Sequence, residues 1–318
     1  MTTNFDALST AEEVLAGIDL HGKRAIVTGV SAGIGVETAH ALAARGATVF
    51  GAARDLGKAE TAMARVQGDT KTSGSVTLVE LDLASLASVR NCADHLTTQG
   101  PFDLIVANAG LMGPPLGRTA EGFETQFGVN HLSHFVFVNR LAPHIRPGGR
   151  VVILASSAHH IADVDLDDPN FERMEYTPYL GYGRSKTANV LFAVEFDRRH
   201  RSRGIRATAV HPGGVATELG RYMDPATREA QRKALSNTGN WNFVQKNAAQ
   251  GASTSVWAGV YASADEVGGR YCEDCHVAET LPGPAASPMG PGVAAYALDP
   301  ARAVALWRKS EELVKESF

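Results

Sequence analysis

Tyr182 and Lys186 stand at i and i+4 in the segment YGRSK, on one face of any helix that carries them. A free tyrosine titrates at about 10, too high for a base at neutral pH, but an ammonium one turn away favours the phenolate and lowers that value. Such a phenol can give a proton to a carbonyl oxygen or take one from an alcohol. A neighbouring hydroxyl would hold and orient the same oxygen, and Ser156 and Ser157 in ASSAHH both offer one. A second cluster has a different chemistry. Arg270 to His276 reads RYCEDCH, with Cys272, Cys275 and His276 spaced Cys-x-x-Cys-His. That is the spacing of a covalent haem attachment and half the ligand set of a zinc site. Zinc needs about two further ligands, and none is close in sequence. His131 and His134, at i and i+3, also lack a third ligand and read as helix packing. No metal is expected.

Groups spaced in this way need a scaffold that brings strand ends to a helix face. The runs RAIVTG, GATVFGAA, SVTLVELDL, FDLIVANAG, GGRVVILASS and GIRATAVHPGG are short, apolar and closed by turn residues. Continuous apolar runs suit strands buried on both faces, as in a parallel sheet. Helical patterns such as GVETAHALAARG and TANVLFAVEFDRRHRSRG lie between them, and parallel strands require such crossovers. The expected fold is α/β, a Rossmann-type doubly wound sheet with helices on both faces. Residues 216–246 are polar and helix-like, and 281–293, LPGPAASPMGPGV, should form an irregular arm. A closing helix follows, with Asp299 as N-cap, Pro300 at its first position and Leu306, Trp307, Leu313 and Val314 on its apolar face. No repeat or linker divides the chain. Residues 1–318 read as a single domain, with 281–318 as its arm and closing helix.

The segment AIVTGVSAGIGVETAHALAARG runs from strand through a glycine-rich turn into a helix. Gly29, Gly33 and Gly35 are spaced G-x-x-x-G-x-G, which lets backbone approach a pyrophosphate at a helix N-terminus. The next strand ends in Arg54, with Asp55 one place further on. An acidic residue there would bond a ribose 2′-hydroxyl, whereas an arginine accommodates a 2′-phosphate. Arg54 therefore favours NADP(H), with NAD(H) as the alternative. Asp82 falls at the next strand's C-terminal end, where such sheets place their ligands.

The ordered set TGVSAGIG, Asn108–Gly110 (NAG), Ser157 and Tyr182–Lys186 resembles the short-chain dehydrogenase/reductase family over roughly residues 18–275. YGRSKTANVLF and SSAHH are most similar to its retinol-dehydrogenase-like branch, which includes the WW-domain-containing oxidoreductase. The resemblance implies a largely seven-stranded parallel sheet and a catalytic set of Asn130, Ser157, Tyr182 and Lys186. Ser157 is preferred to Ser156 because the family's serine is usually the second of such a pair. Asn130 would hold a water in a proton relay, and Lys186 would also reach the nicotinamide ribose. The cofactor would be held by Gly29, Ser31, Ala32, Gly33, Ile34, Gly35, Arg54, Asp82, Leu83, Asn108, Ala109, Gly110, Tyr182, Lys186, Pro212, Gly213, Val215 and Thr217. Ser157 and Tyr182 lie about twice as far apart as in many short members. The added segment makes His159, His160, Phe171, Tyr176 and Tyr179 candidates for the substrate pocket, with packing the commoner role for such residues. Gly269, Tyr271 and Asp274 fit the family's G-x-Y-x-x-D-G, and Cys275 takes the place of its last glycine.

Composition narrows the function classes. A net charge of −4 gives no footprint for nucleic acid. The first residues show no basic-then-apolar leader, and no apolar window is long enough to span a membrane. Three cysteines make no disulfide framework, so a cytoplasmic home is expected. The partners expected are a small alcohol or carbonyl compound, with a lipophilic one implied by the resemblance, and a second copy of the chain. The apolar helices at 131–145 and 187–196 suggest a homodimer or homotetramer. The leading expectation is an NADP-dependent alcohol–carbonyl oxidoreductase. A catalytically silent NADP-binding regulator and an NAD-preferring catabolic dehydrogenase are the alternatives. A sugar-nucleotide epimerase would carry a G-x-x-G-x-x-G loop and a larger C-terminal domain, and both are missing.

Overall fold

The computed structural model describes residues 5–68, 73–222, 244–283, 287 and 290–318. A short helix α1 (Ala11–Val14), closed by a capping box between Thr10 and Glu13, leads into β1 (Arg24–Thr28) and α2 (Ile34–Ala44). Next come β2 (Thr48–Ala53), α3 (Leu56–Gly68), β3 (Ser75–Glu80), α4 (Leu86–Thr97) and β4 (Phe102–Ala107). A helical turn α5 (Thr125–Phe127), a π-helical turn over Gly128–Leu132 and α6 (Ser133–Leu141) then run on continuously. They are followed by β5 (Ile145–Leu154), α7 (Pro178–His200) and β6 (Arg206–His211). The remaining strands are short: β7 (Gly214–Val215), β8 (Gln245–Lys246), β9 (Tyr271–Glu273), β10 (His276–Val277), β11 (Thr280–Leu281) and β12 (Val293–Ala294). Between β8 and β9 lie α8 (Ala248–Val256) and α9 (Ala264–Val267), and α10 (Pro300–Val314) closes the chain.

Eight strands form one sheet in the order β3-β2-β1-β4-β5-β6-β9-β10. The seven from β3 to β9 are parallel, as the sequence pattern requires, and two-residue β10 is added antiparallel at the edge. Strand alternation splits the core. Ala25 and Val27 of β1 join one apolar cluster with α1, α2 and α8, while Ile26 joins the other with α4, α6, α7 and α10. The strand order reverses between β1 and β4, the switch point at which doubly wound sheets open a crevice for a ligand.

The closing helix begins where expected, with Asp299 accepting from Ala301 N and Arg302 N and with Pro300 at its first position. It also bears on the expected second copy. The apolar faces of α6 and α7, read from sequence as surfaces for a second copy, are covered by the chain's own α10. Trp307 stacks edge-on against Phe135 at 5.0 Å and lies 5.9 Å from Phe192, and Phe318 closes on Phe135 at 5.5 Å. The arm is pinned at both ends, Thr280 pairing with Val293 and Leu281 with Ala294. The polar stretch 216–246 gives a 3₁₀ turn at Glu218–Tyr222 and strand β8, and its residues 223–243 lie outside the described part. Among the described residues no helix is long and apolar enough to cross a membrane.

The Cys-x-x-Cys-His cluster is the β9–β10 hairpin. Asp274 and Cys275 form its two-residue loop at φ 46° and 58°, and Glu273 pairs with His276. Two successive positive φ values match the hairpin turn that favours Asp-Gly, so Cys275 stands at a position where glycine would be the unstrained residue. Cys272 is buried in the core, and Cys275 N donates to Thr254 Oγ1 at 3.2 Å. Among the described residues no three His, Cys, Asp or Glu side chains are grouped to hold a metal.

Candidate active site

A cleft of about 480 Å³ opens over the C-terminal ends of β1, β2 and β4 and reaches Tyr182 and Lys186 on α7. Its floor is the β1–α2 turn. Gly33, at φ 65°, is the N-cap of α2 and makes no side-chain cap, so the first-turn N–H groups of α2 have no capping side chain. A Cβ on Gly35 would stand 2.3 Å from Gly29 O, and one on Gly33 would meet the Thr217 methyl at 3.0 Å. The turn closes only with glycine there, and it leaves backbone bare toward the cleft. That geometry fits the pyrophosphate of a dinucleotide.

Ser31, Ala32, Ile34, Arg54, Asp82, Leu83, Asn108, Ala109, Gly110, Pro212 and Thr217 line the same cleft, as their sequence positions suggest. Arg54 is exposed at the end of β2, while Asp55 Oδ1 accepts from Lys58 N at 2.9 Å as it opens α3. Asp82 Oδ1 likewise accepts from Ala84 N at 2.9 Å. Thr28 holds the Asn108–Gly110 loop, its Oγ1 accepting from Asn108 N at 3.0 Å and Ala109 N at 2.9 Å. The Thr28 proton is left for His134 Nε2 at 3.0 Å, and His134 Nδ1 donates to Asn130 O at 3.1 Å. Burial lowers His134 to about 4, which keeps this ring neutral.

Besides Ser157, four expected residues stand elsewhere than at the cleft wall. Val215 turns its methyls toward Gly251 of α8, and Gly213 packs beneath the buried Lys246 side chain. Gly35 lies beneath the turn rather than on its surface. Asn130 sits in the π-helical turn, a feature frequent at functional sites. Its Oδ1 accepts from Leu111 N, and its Nδ2 donates to Leu111 O and Ser185 Oγ, all at 3.0 Å. The amide is a clamp behind the cleft, bonded to protein on both its oxygen and its nitrogen.

Lys186 Nζ donates to Leu154 O at 2.9 Å and lies 5.6 Å from the centre of the Tyr182 ring. Burial lowers this ammonium to about 8. Tyr182 is also buried, and desolvation pushes its hydroxyl up to about 12, opposed by a hydrogen bond from the Ser156 side chain. Burial thus acts against the depression expected from the i, i+4 lysine. Removal from water is the largest effect on the phenol, and the ammonium is turned to the Leu154 carbonyl.

The serine also differs from expectation. The side chain bonded to Tyr182 is Ser156, while Ser157 is buried one residue further on, inside the Ser157–His160 3₁₀ turn. Ser156 keeps the extended backbone of β5, at φ −167° and ψ 154°, and so shares a strand face with Leu154, which lines the cleft. Ala158 N donates to Ser156 Oγ at 3.1 Å, leaving the hydroxyl proton for Tyr182. Sequence reasoning also passed over Lys58, Leu111, Val129, Leu154 and Leu219, which line the cleft without any motif to mark them. The inserted segment serves packing. Tyr176 donates to Pro114 O at 2.9 Å and Phe171 lies under Arg184, while His159 and His160 bond to Ala294 and Gly292 of the arm.

A parallel doubly wound sheet, a glycine turn at its switch point and a buried Ser–Tyr–Lys group define a nicotinamide-dependent oxidoreductase. The short chain dehydrogenase family model matches residues 23–228. The chain is 36% identical to the short-chain dehydrogenase/reductase prx1 of Penicillium roqueforti, over 98% of this chain and 92% of that one. It is 34% identical to retinol dehydrogenase 14 of Mus musculus, covering 93% and 86%. The structure of a short chain dehydrogenase from Burkholderia cenocepacia in complex with NADP superposes with a TM-score of 0.63 at 26% identity, covering 81% and 98%. The chain belongs to the short-chain dehydrogenase/reductase family, and it is an oxidoreductase acting on CH–OH donors with a nicotinamide acceptor.

Proposed function

We propose that this protein interconverts an alcohol and its aldehyde or ketone, with NADP(H) preferred, on a lipophilic substrate. The observation that carries the reading is that Tyr182 and Lys186 line the same cleft as Arg54, with the Ser156 side chain bonded to Tyr182. A bound nicotinamide supplies or accepts the hydride. Tyr182 Oη gives the proton to the carbonyl oxygen in reduction and takes it from the alcohol in oxidation. Ser156 Oγ, held by Ala158 N, donates to the same oxygen and steadies its developing charge. Lys186, freed from Leu154 O, would bind the nicotinamide ribose and favour the Tyr182 phenolate. Asn130 positions Leu111 and Ser185 beside them and does not touch substrate.

Arg54 supports the NADP preference, because Asp55 already commits one carboxylate oxygen to opening α3. Leu111, Val129 and Leu154 give the inner cleft an apolar lining suited to a lipophilic chain. The test is a screen of carbonyl compounds, including decanal, retinal and acetophenone, that follows loss of NADPH absorbance. Turnover of an apolar member is the expected result. NADPH binding with no turnover across the panel would instead favour a silent regulator.

A further inference from the structure

Ser156 is held from behind by one side chain, and that side chain ties it to the far end of the protein. His159 Nδ1 lies 2.8 Å from Ser156 O, and His159 N donates to the same carbonyl at 3.1 Å. A carbonyl only accepts, so Nδ1 carries the ring proton. The other nitrogen, Nε2, accepts from Ala294 N of β12 at 3.0 Å. A backbone N–H only donates, so the tautomer is determined from both sides. The His159 carbonyl is itself held by Thr187 Oγ1 of α7 at 3.2 Å and by the Tyr296 hydroxyl. The ring is fully buried between His160, at 4.0 Å, and Tyr271, at 4.9 Å. Burial lowers it to about 3, so it stays neutral throughout the working pH range.

We propose that His159 is a positioning residue for catalysis, carrying the hold of the C-terminal arm through its ring to the Ser156 backbone. This rests on the reading of Ser156 as the substrate-oxygen donor. The carbonyl that His159 grips belongs to the residue whose hydroxyl meets Tyr182. A small rotation of the ring moves that hydroxyl directly, and a displacement of about 1 Å at a reacting group costs up to roughly 100-fold in rate. The arm is thereby a supporting layer of the active site, although no arm residue lines the cleft among the described residues.

Three variants separate positioning from mere packing, read as kcat in the NADPH-dependent reduction of the fastest panel carbonyl, with NADPH affinity and thermal midpoint measured alongside. His159→Ala removes both ring bonds and is expected to lower kcat about 10- to 100-fold with NADPH affinity unchanged. His159→Asn places an amide N–H where Nδ1 stood and should recover most of that loss at a similar thermal midpoint. Ala294→Pro replaces the N–H facing Nε2 by the proline Cδ, which removes that bond and pushes the ring away. The φ of −67° at Ala294 already suits proline, and kcat should fall several-fold. Wild-type kcat in His159→Ala, or kcat in His159→Asn as low as in His159→Ala at equal stability, overturns the proposal. If His159→Ala does not fold, His159→Asn and Ala294→Pro still decide it, wild-type kcat in Ala294→Pro counting against. If Ser156→Ala is slow while the His159 variants are not, this inference alone fails. If Ser156→Ala is itself fast, the underlying reading of Ser156 fails.

Discussion

Replacing Ser156 by alanine removes the one side-chain hydrogen bond that pulls Tyr182 against the effect of burial. Tyr182 is only 5% exposed, so burial acts on its hydroxyl strongly. A hydrogen bond to a charged group is worth about 1.5–3 kcal/mol, and losing it raises the phenol by roughly one to two pKa units. The sign follows from the chemistry. Alcohol oxidation needs the phenolate, so its rate climbs with pH, and in Ser156→Ala that climb moves to higher pH. The same donor steadies the substrate oxygen, so kcat falls about 10- to 100-fold or more. Profiles of kcat/KM against pH for alcohol oxidation, compared among wild type, Ser156→Ala and Ser157→Ala, read both effects. Ser157→Ala should keep the wild-type position of the rising limb. A shifted limb in Ser157→Ala together with an unshifted one in Ser156→Ala would refute the assignment.

Arg54→Ala should weaken NADPH binding about 10-fold or more while leaving NADH nearly unchanged, as loss of a charged phosphate contact requires; equal losses for both cofactors in a fluorescence titration would count against the NADP reading. Because α10 covers the apolar faces of α6 and α7, light scattering should give the mass of a monomer, and a dimer persisting on dilution would contradict that packing. Trp307→Ala, which empties a site only 2% exposed beneath Arg199, should cost about 3–5 kcal/mol in denaturant unfolding. A loss below about 1 kcal/mol would show that the closing helix contributes little.

The sheet and its helices were legible because parallel strands buried on both faces leave uninterrupted apolar runs such as RAIVTG and RVVIL. The glycine turn was legible for a different reason, since close backbone approach admits no other residue at Gly35. The errors arose where tertiary contacts decide. Spacing placed Lys186 beside Tyr182, but only packing could show the ammonium turned to Leu154 O and the phenol largely buried. The apolar stripe of α6 and α7 looked the same in sequence whether a second copy or α10 would cover it. Cys272 and Cys275 read in the sequence as the last strand of the sheet and its exit, and they fall in the β9–β10 hairpin. The contact of His159 could not be read from SSAHH, since its partner Ala294 lies 135 residues further along the chain.

Tyr182→Phe tests the central claim most directly, because it deletes one oxygen and little else. NADPH titration and single-turnover reduction of the fastest panel carbonyl should be measured on the same preparation. NADPH affinity close to wild type, with the hydride-transfer step slowed at least about 1,000-fold, is the predicted result. Reduction at the wild-type rate in the phenylalanine variant would contradict it, since no other group beside Ser156 and Lys186 is assigned to move the proton.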